Sequence, residues 1–198
     1  MSKQAAIIVP EGCTRVLLHA CCAPCSSAIV EWLLAHGITP TIYYFNPNIY
    51  PREEYEIRKN ESKRHAESLG ISWIDDDYNH ERWLCAVTGL ENEPERGRRC
   101  EACFYHRLLA TAKKAQELSI PYFATTLASS RWKNLEQINA AGKAAEEKIQ
   151  GENVQGTKVQ FWAQNWRKDG LQERRNALLK EYNFYNQLYC GCEFSMRK

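Results

Sequence analysis

The chain has 198 residues, of which 44% are hydrophobic and 25% are charged, and its formal net charge is +2 at pH 7. This is the composition of an ordinary globular domain. The net charge is too small for bulk electrostatics to be the basis of nucleic-acid binding. A nucleic-acid partner would therefore have to contact a local basic patch. No run approaches the roughly 18 apolar residues of a membrane span, and the first ten residues lack the pattern of a secretory signal, so we expect a cytoplasmic protein without a membrane partner.

Strand-like and helix-like patterns alternate along the chain. The predicted strands are residues 15–19, 41–45, 71–74, 121–126 and 158–163. The predicted helices are residues 25–36, 51–69, 80–87, 100–117, 135–149 and 170–182. This β-α-β order predicts one doubly wound, mainly parallel α/β domain of the Rossmann-like kind over residues 1–198, with right-handed crossovers. Ligands of such sheets bind at the carboxyl ends of the strands, where we expect the functional site.

Three cysteines follow the first predicted strand. Cys21, Cys22 and Cys25 come after the apolar residues 16–18, and Pro24 suits the first turn of the next helix because that position needs no N–H. The thiols should therefore lie in a strand–loop–helix turn near the positive end of a helix dipole, which favours thiolates. Thiolates are the form of cysteine that binds metals.

Further cysteines lie far from this group in sequence. The chain has nine, an odd number that cannot form a complete disulfide framework within one chain. The remaining grouped cysteines are Cys100, Cys103, Cys190 and Cys192. Cys13 and Cys85 stand alone, and we expect both to be packed residues without a chemical role.

The seven grouped thiols exceed the four ligands of a structural zinc ion, and the spacings Cys-Cys-x-x-Cys and Cys-x-Cys are not those of zinc knuckles. They predict four thiols on an iron–sulfur cluster, with the rest on a second metal or in a redox pair. The alternative is a zinc site that fixes the tail to the domain, with the other cysteines buried as small apolar residues.

Five short motifs together resemble the cobalamin-independent epoxyqueuosine reductases, the QueH family. The motifs are His19-Ala-Cys-Cys-Ala-Pro-Cys25, Phe45-Asn-Pro-Asn-Ile49, Arg99-Cys-x-x-Cys-Phe-x-x-Arg107, Thr125-Thr-Leu127 and Tyr189-Cys-Gly-Cys-x-Phe-Ser195. The resemblance covers most of the chain. It implies a fold like the adenine-nucleotide α-hydrolase superfamily and an iron–sulfur oxidoreductase that performs the last step of queuosine biosynthesis on tRNA.

The resemblance also implies roles for individual cysteines. The ligands of a [4Fe-4S] cluster would be Cys21, Cys22, Cys100 and Cys103. Cys190 and Cys192 would form a redox-active pair in a tail that folds back on the active site, and the position of Cys25 suggests a ligand of a second, mononuclear iron. Reduction of an epoxide to an alkene takes two electrons and two protons, so a cofactor and an unidentified electron donor are needed. His19, Tyr189 or a cysteine thiol could supply the protons.

A tRNA anticodon loop is read by stacking splayed bases and by phosphate contacts. Trp132 beside Arg131 and Lys133, and Tyr50 beside Arg52, offer aromatic and basic side chains at strand ends. The charged loop of residues 91–99 is a candidate binding segment, and its Arg96, Arg98 and Arg99 are candidate phosphate contacts. Two alternatives stay open: a zinc-stabilised RNA-binding module, and a thiol–disulfide or metal-handling protein.

Overall fold

The computed structural model describes residues 6–76, 78–152 and 158–196. Within them the chain forms a parallel sheet in the order β3-β2-β1-β4-β5. Its strands are β1 (Arg15–His19), β2 (Thr39–Tyr44), β3 (Trp73–Asp75), β4 (Tyr122–Thr125) and β5 (Gln160–Phe161). The prediction of a doubly wound, Rossmann-like α/β fold is confirmed.

Helices cover both faces of the sheet. They are α1 (Ala23–Ala35), α2 (Arg52–Ser68), α3 (His80–Ala86), α4 (Arg98–Glu117), α5 (Leu135–Glu152) and α6 (Leu171–Glu181). Right-handed crossovers place α1 and α2 on one face of the sheet, where α6 packs on α1. Helices α4 and α5 pack against each other on the opposite face. None of the helices in the described ranges is long and apolar enough to span a bilayer.

The central strand β1 shows why the sheet lies inside. Val16, Leu17 and Leu18 are all fully buried, because helices cover both faces and successive side chains of one strand point to opposite sides. The strand at the β5 edge is shorter than predicted, since only Gln160 and Phe161 pair with β4. Helix α4 begins two residues earlier than predicted, which places Cys100 in its first turn and Cys103 one turn further on.

The strand order reverses between β1 and β4, and the crevice at that switch point is the expected ligand site. His19 ties the strand ends together there. Its Nε2–H donates to the Phe45 carbonyl at 3.1 Å, and its Nδ1 accepts from the Thr125 hydroxyl at 2.8 Å. Burial lowers the pKa of His19 to about 3, so the ring is a neutral structural link between β1, β4 and the loop after β2.

Candidate metal site

Cys21, Cys22 and Cys25 form what we call the strand-end group. Cys22 is the residue just before α1, Cys25 lies in the first turn of that helix, and Pro24 occupies the first-turn position that the sequence predicted. The three sulfur atoms lie within 4.8 Å of one another, and those of Cys21 and Cys22 are 3.8 Å apart. Three sulfurs at this spacing can share one metal ion or one face of a cluster.

The three thiols of the strand-end group differ in the direction of their pKa shifts. Hydrogen bonds from the Cys22 and Cys25 thiols hold the pKa of Cys21 well below its usual value, and the cations of Lys133 and Arg107 act in the same direction. Burial raises the pKa of Cys22, and the hydrogen bond to Cys21 raises that of Cys25 to about 11. Metal binding would therefore displace protons from Cys22 and Cys25.

The helix–tail group consists of the four other grouped cysteines. They line one small cavity, together with Trp83 and Arg107, and they are Cys100, Cys103, Cys190 and Cys192. The Cys100 sulfur accepts the backbone N–H of Arg96 at 3.3 Å. Cys192 is buried, and its thiol lies 3.4 Å from the Ser195 hydroxyl, whereas Cys190 is exposed. Burial raises the pKa of Cys100 and Cys103, and with the nearby Cys190 it raises that of Cys192 to about 11.

Arg58 on α2 holds the tail in place. Its side chain is only 2% exposed and pairs with Glu54, the Nε–Oε1 distance being 2.7 Å. The same guanidinium donates to the carbonyls of Tyr189 and Cys190 at 3.3 Å each, and it lies over the Tyr189 ring. Arg58 is not among the site residues predicted from the sequence, because a cation that binds carbonyls of a distant segment leaves no periodic signal.

Gly191 lets the tail lie against the loop between β2 and α2. Its φ of +122° is open to glycine but strained for other residues, and its carbonyl accepts the N–H of Tyr50 at 2.8 Å. A Cβ at this position would lie 3.1 Å from both Arg58 Nη1 and Ile49 Cγ1. The tail thus approaches the loop so closely that an added Cβ would require Arg58 and Ile49 to shift.

Three side chains fasten the tail around Gly191. The Tyr189 hydroxyl donates to the Tyr50 carbonyl. His80 bridges the Pro47 carbonyl at 2.7 Å and the Glu193 carboxylate at 2.9 Å. The ring of Phe194 packs on Trp83 and beneath the Arg99 guanidinium. These contacts bring the tail cysteines to the cavity that Cys100 and Cys103 line.

Gln187 contacts the strand-end group from the segment before the tail, and Lys133 lies near cysteines of both groups. The amide nitrogen of Gln187, in the segment that leads to the tail, lies 3.1 Å from the Cys22 sulfur and 3.7 Å from that of Cys25. The ammonium of Lys133 faces both groups: burial lowers its pKa, but negative charge at Cys190 and then at Cys21 raises it above its usual value. The ligand set suggested by the resemblance takes two thiols from each group, and it stays a prediction.

The predicted role of Arg99 as a phosphate contact is wrong. This side chain is 3% exposed, and its guanidinium donates to the carbonyls of Leu90, Glu91 and Glu93, which fixes the charged loop before α4. Arg98 is exposed but pairs with the Glu93 carboxylate at 2.8 Å. Both arginines therefore hold the loop in place. Only Arg98 is exposed to a binding partner, because Arg99 is buried.

The loop after β4 presents the other predicted contacts. Trp132 is 76% exposed, and its carbonyl accepts from the Arg96 guanidinium at 2.8 Å. Arg167 donates to the carbonyl of Lys133 at 2.9 Å, so the loop is fixed on both sides of the indole. Arg131 is exposed beside it, whereas Lys133 turns toward the thiols. The loop thus carries one half-buried cation, Lys133, next to an exposed ring and an exposed cation.

Comparisons with known proteins identify the family of the chain. The family model described as epoxyqueuosine reductase QueH matches residues 16–198. The chain is 46% identical to the epoxyqueuosine reductase QueH of Histophilus somni over 189 residues, which is 96% of this chain and 75% of that protein. The proteins of the same name from Haemophilus influenzae and Acinetobacter baylyi are 45% and 43% identical, with 96% of this chain and 74% and 84% of theirs covered. The chain therefore belongs to the QueH family of epoxyqueuosine reductases.

Proposed function

We propose that this chain reduces epoxyqueuosine at the wobble position of tRNA anticodons to queuosine, the last step of queuosine biosynthesis, and that it does so in the cytoplasm. The observation that carries the proposal is a buried group of three thiols after β1 and a cavity lined by four more, with Arg107 lining that cavity and its charge also acting on Cys21, in a chain of the QueH family. Thiols in such number serve redox or metal chemistry, which the removal of an epoxide oxygen requires.

The donor set fits a [4Fe-4S] cluster. Such clusters are held by cysteine thiolates, and the proposed ligands Cys21, Cys22, Cys100 and Cys103 stand at or near the amino ends of α1 and α4. The nearby cations Lys133 and Arg107 would balance the negative charge of the thiolates. When bound, the cluster supplies electrons one at a time. Cys25 remains beside two of these ligands as a candidate for holding a second, mononuclear iron.

Cys190 and Cys192 are the proposed catalytic pair, in a C-terminal tail that closes over the site of the single domain. Oxidation of two thiols to a disulfide breaks two S–H bonds, forms one S–S bond and releases two electrons and two protons. Conversion of an epoxide into an alkene and water consumes the same electrons and protons. An electron donor outside this chain would then reduce the pair again.

The structure narrows the choice of proton source. His19 is buried and neutral, and both ring nitrogens are engaged with Thr125 and Phe45. The Tyr189 hydroxyl donates to a backbone carbonyl, and burial raises its pKa. Cys190, by contrast, is exposed and lines the cavity. We therefore assign proton delivery to the Cys190 thiol.

The tRNA would meet the face on which Trp132 and Arg131 are exposed. An exposed indole provides a platform on which an unpaired base can stack, and a neighbouring guanidinium provides a phosphate contact. Tyr50, which is 43% exposed and stacks on His80, lies on the loop beneath the tail. Together these side chains would frame the entry to the thiols for a base turned out of the anticodon loop.

Anaerobic purification followed by iron and sulfide analysis, and then a conversion assay, tests the proposal. We expect about four irons and four sulfides per chain, and a brown protein with an absorbance band near ~400 nm. Mass spectrometry of nucleosides from epoxyqueuosine-containing tRNA, treated with the protein and a chemical reductant, should show queuosine. Zinc without sulfide, and RNA binding without conversion, would favour a zinc-stabilised RNA-binding module. Reversible thiol oxidation without iron or conversion would favour a thiol–disulfide or metal-handling protein.

A further inference from the structure

Two asparagines of the loop after β2 differ in what their amides bind. Asn46 uses both ends of its amide, since its Nδ2 donates to the Ala20 carbonyl at 2.9 Å and its Oδ1 accepts from Arg107. Asn48 is equally buried, at 2% exposure, yet its Oδ1 has no hydrogen-bond partner among the described residues. Asn48 lines the cavity of the helix–tail group. The first asparagine therefore has a structural role that the second does not share.

An unpaired amide oxygen in this position calls for a ligand. Leaving a buried acceptor unsatisfied costs about 1–3 kcal/mol, and most such groups in folded proteins are paired with protein or ordered water. The cavity that Asn48 lines is otherwise formed by thiols, rings and guanidinium groups. A hydroxyl group that entered the cavity would meet an acceptor already in place.

Arg107 adds a donor to the same cavity. Its side chain is 2% exposed, one end of its guanidinium is held by Asn46, and its Nε has no hydrogen-bond partner within the described part of the chain. The cavity thus carries an acceptor at Asn48 and a charged donor at Arg107 beside the Cys190 and Cys192 thiols. This combination offers an acceptor and a charged donor to an oxygen-bearing group of a ligand.

Backbone structure does not explain Asn48. The turn of this loop is closed by the N–H of Ile49, which donates to the Asn46 carbonyl at 3.1 Å, and no side chain is needed for it. The tail touches Asn48 through Gly191, where an ideal Cβ would lie 3.5 Å from Asn48 Nδ2. The tail therefore lies on the nitrogen side of the amide, and the oxygen has no partner among the described residues.

We propose that Asn48 accepts a hydrogen bond from a ring hydroxyl of the epoxyqueuosine side chain, while Arg107 donates to an oxygen of the same ring. The pair would hold the oxygen-bearing ring against the tail thiols and distinguish the modified base from guanine. This recognition role rests on the proposed function, and it makes Asn48 and Arg107 determinants of specificity.

Equilibrium binding of two anticodon stem-loop RNAs tests the assignment. One RNA carries queuosine, which keeps the ring hydroxyls but has no epoxide and does not react, and the other carries guanine at the same position. We expect the parent to prefer the queuosine RNA by fluorescence anisotropy. Asn48→Ala should weaken binding of that RNA about tenfold, because a polar partner is lost, and should change binding of the guanine RNA less than about twofold.

Asn139→Ala is the matched control. The amide oxygen of Asn139, on α5, also has no hydrogen-bond partner among the described residues, but this residue does not line the cavity. This control should bind both RNAs as the parent does. Asn48→Asp, which keeps an acceptor oxygen in the same place, should retain more of the preference for queuosine than Asn48→Ala. If Asn48→Ala unfolds at a lower temperature than the parent, the preference of Asn48→Asp for the queuosine RNA still shows whether Asn48 binds the ring or only packs in the fold.

Two results would overturn the assignment. The first is an Asn48→Ala protein that folds and prefers the queuosine RNA as strongly as the parent does. The second is loss of iron in Asn48→Ala with iron retained in Asn139→Ala, because Asn48 would then be a metal ligand. A parent protein that neither prefers the queuosine RNA nor converts epoxyqueuosine would refute the proposed function instead, and the recognition role would fall with it.

Discussion

The two cysteine groups are built in different ways. The strand-end group comes from one short segment, in which β1 ends, the chain turns and α1 begins, so its three sulfurs are neighbours by virtue of local backbone structure. The helix–tail group joins the amino end of α4 to a segment that follows α6. One group depends on a strand–helix turn, and the other depends on how the tail is held.

This difference indicates that the tail is the part of the site most easily displaced. In its described part, which ends at residue 196, the tail has no regular secondary structure beyond the 3-10 turn Glu193–Ser195, so its position depends on hydrogen bonds to α2 and the loop before it. A site whose halves differ in this way can lose its proposed catalytic pair while the strand-end group stays intact. The following predictions separate the two groups, from the largest expected effect to the smallest.

Replacement of one cysteine in each group should have opposite consequences. Cys192→Ser should fold, keep its iron and lose most conversion of epoxyqueuosine to queuosine, whereas Cys22→Ser should lose most of its iron because a proposed cluster ligand is gone. Iron and sulfide analysis beside the conversion assay checks both. Near-parental turnover of Cys192→Ser with a chemical reductant would show that the pair is not needed. Loss of iron in that variant would make Cys192 a ligand.

Arg58→Ala should release the tail. The substitution leaves the buried Glu54 carboxylate without its cation and removes the donors to two tail carbonyls, so we expect a loss of about 3–5 kcal/mol in the free energy of unfolding. Alkylation of Cys192 should become faster, and that of Cys22 should change less. Denaturant titration and mass spectrometry of the alkylated peptides provide the measurements.

The control for this release is Arg52→Ala on the same helix. The Arg52 side chain is 71% exposed and forms a surface pair with Glu56, so stability and alkylation should stay at parental values. Parental alkylation of Cys192 in Arg58→Ala would show that Tyr189, His80 and Phe194 hold the tail without the arginine.

Gly191→Ala should strain the same contact without removing any donor. The positive φ and the 3.1 Å approach to Arg58 Nη1 and Ile49 Cγ1 predict a loss of about 1–3 kcal/mol. Gly151→Ala, in α5 with open space around the added methyl, should be neutral or stabilising by up to about 1 kcal/mol. Thermal unfolding of both variants measures the difference, and equal stabilities would contradict the tight approach of the tail to the loop.

Arg131→Ala should have the smallest effect. Loss of one phosphate contact should weaken tRNA binding a few-fold and reduce the slope of log affinity against log salt by about one, with iron content unchanged. Lys113→Ala removes an exposed cation from α4, away from the loop after β4, and serves as the control. A salt slope for Arg131→Ala equal to that of the control would show that Arg131 is only solvated.

Sequence patterns predicted the order of strands and helices and the placement of the first cysteines after β1. They did so because apolar runs, prolines and glycines act through local backbone preferences. The roles of charged residues were harder to predict. In the sequence, Arg58 and Arg99 lie in charged stretches that resemble a solvated surface. In the structure, both side chains are buried and hold other segments by binding their carbonyls. A guanidinium that binds the backbone of a distant segment leaves no pattern in its own neighbourhood.

By itself, the sequence determined the parallel α/β fold, the strand-end group and the family resemblance, because these depend on patterns of residues close together in the chain. Only the tertiary structure decided that the tail cysteines share a cavity with Cys100 and Cys103, and that Asn48 lines it. The physical reason is that these contacts join segments far apart in sequence. Their free energy comes from buried hydrogen bonds and ion pairs that exist only once the sheet and its helices have packed.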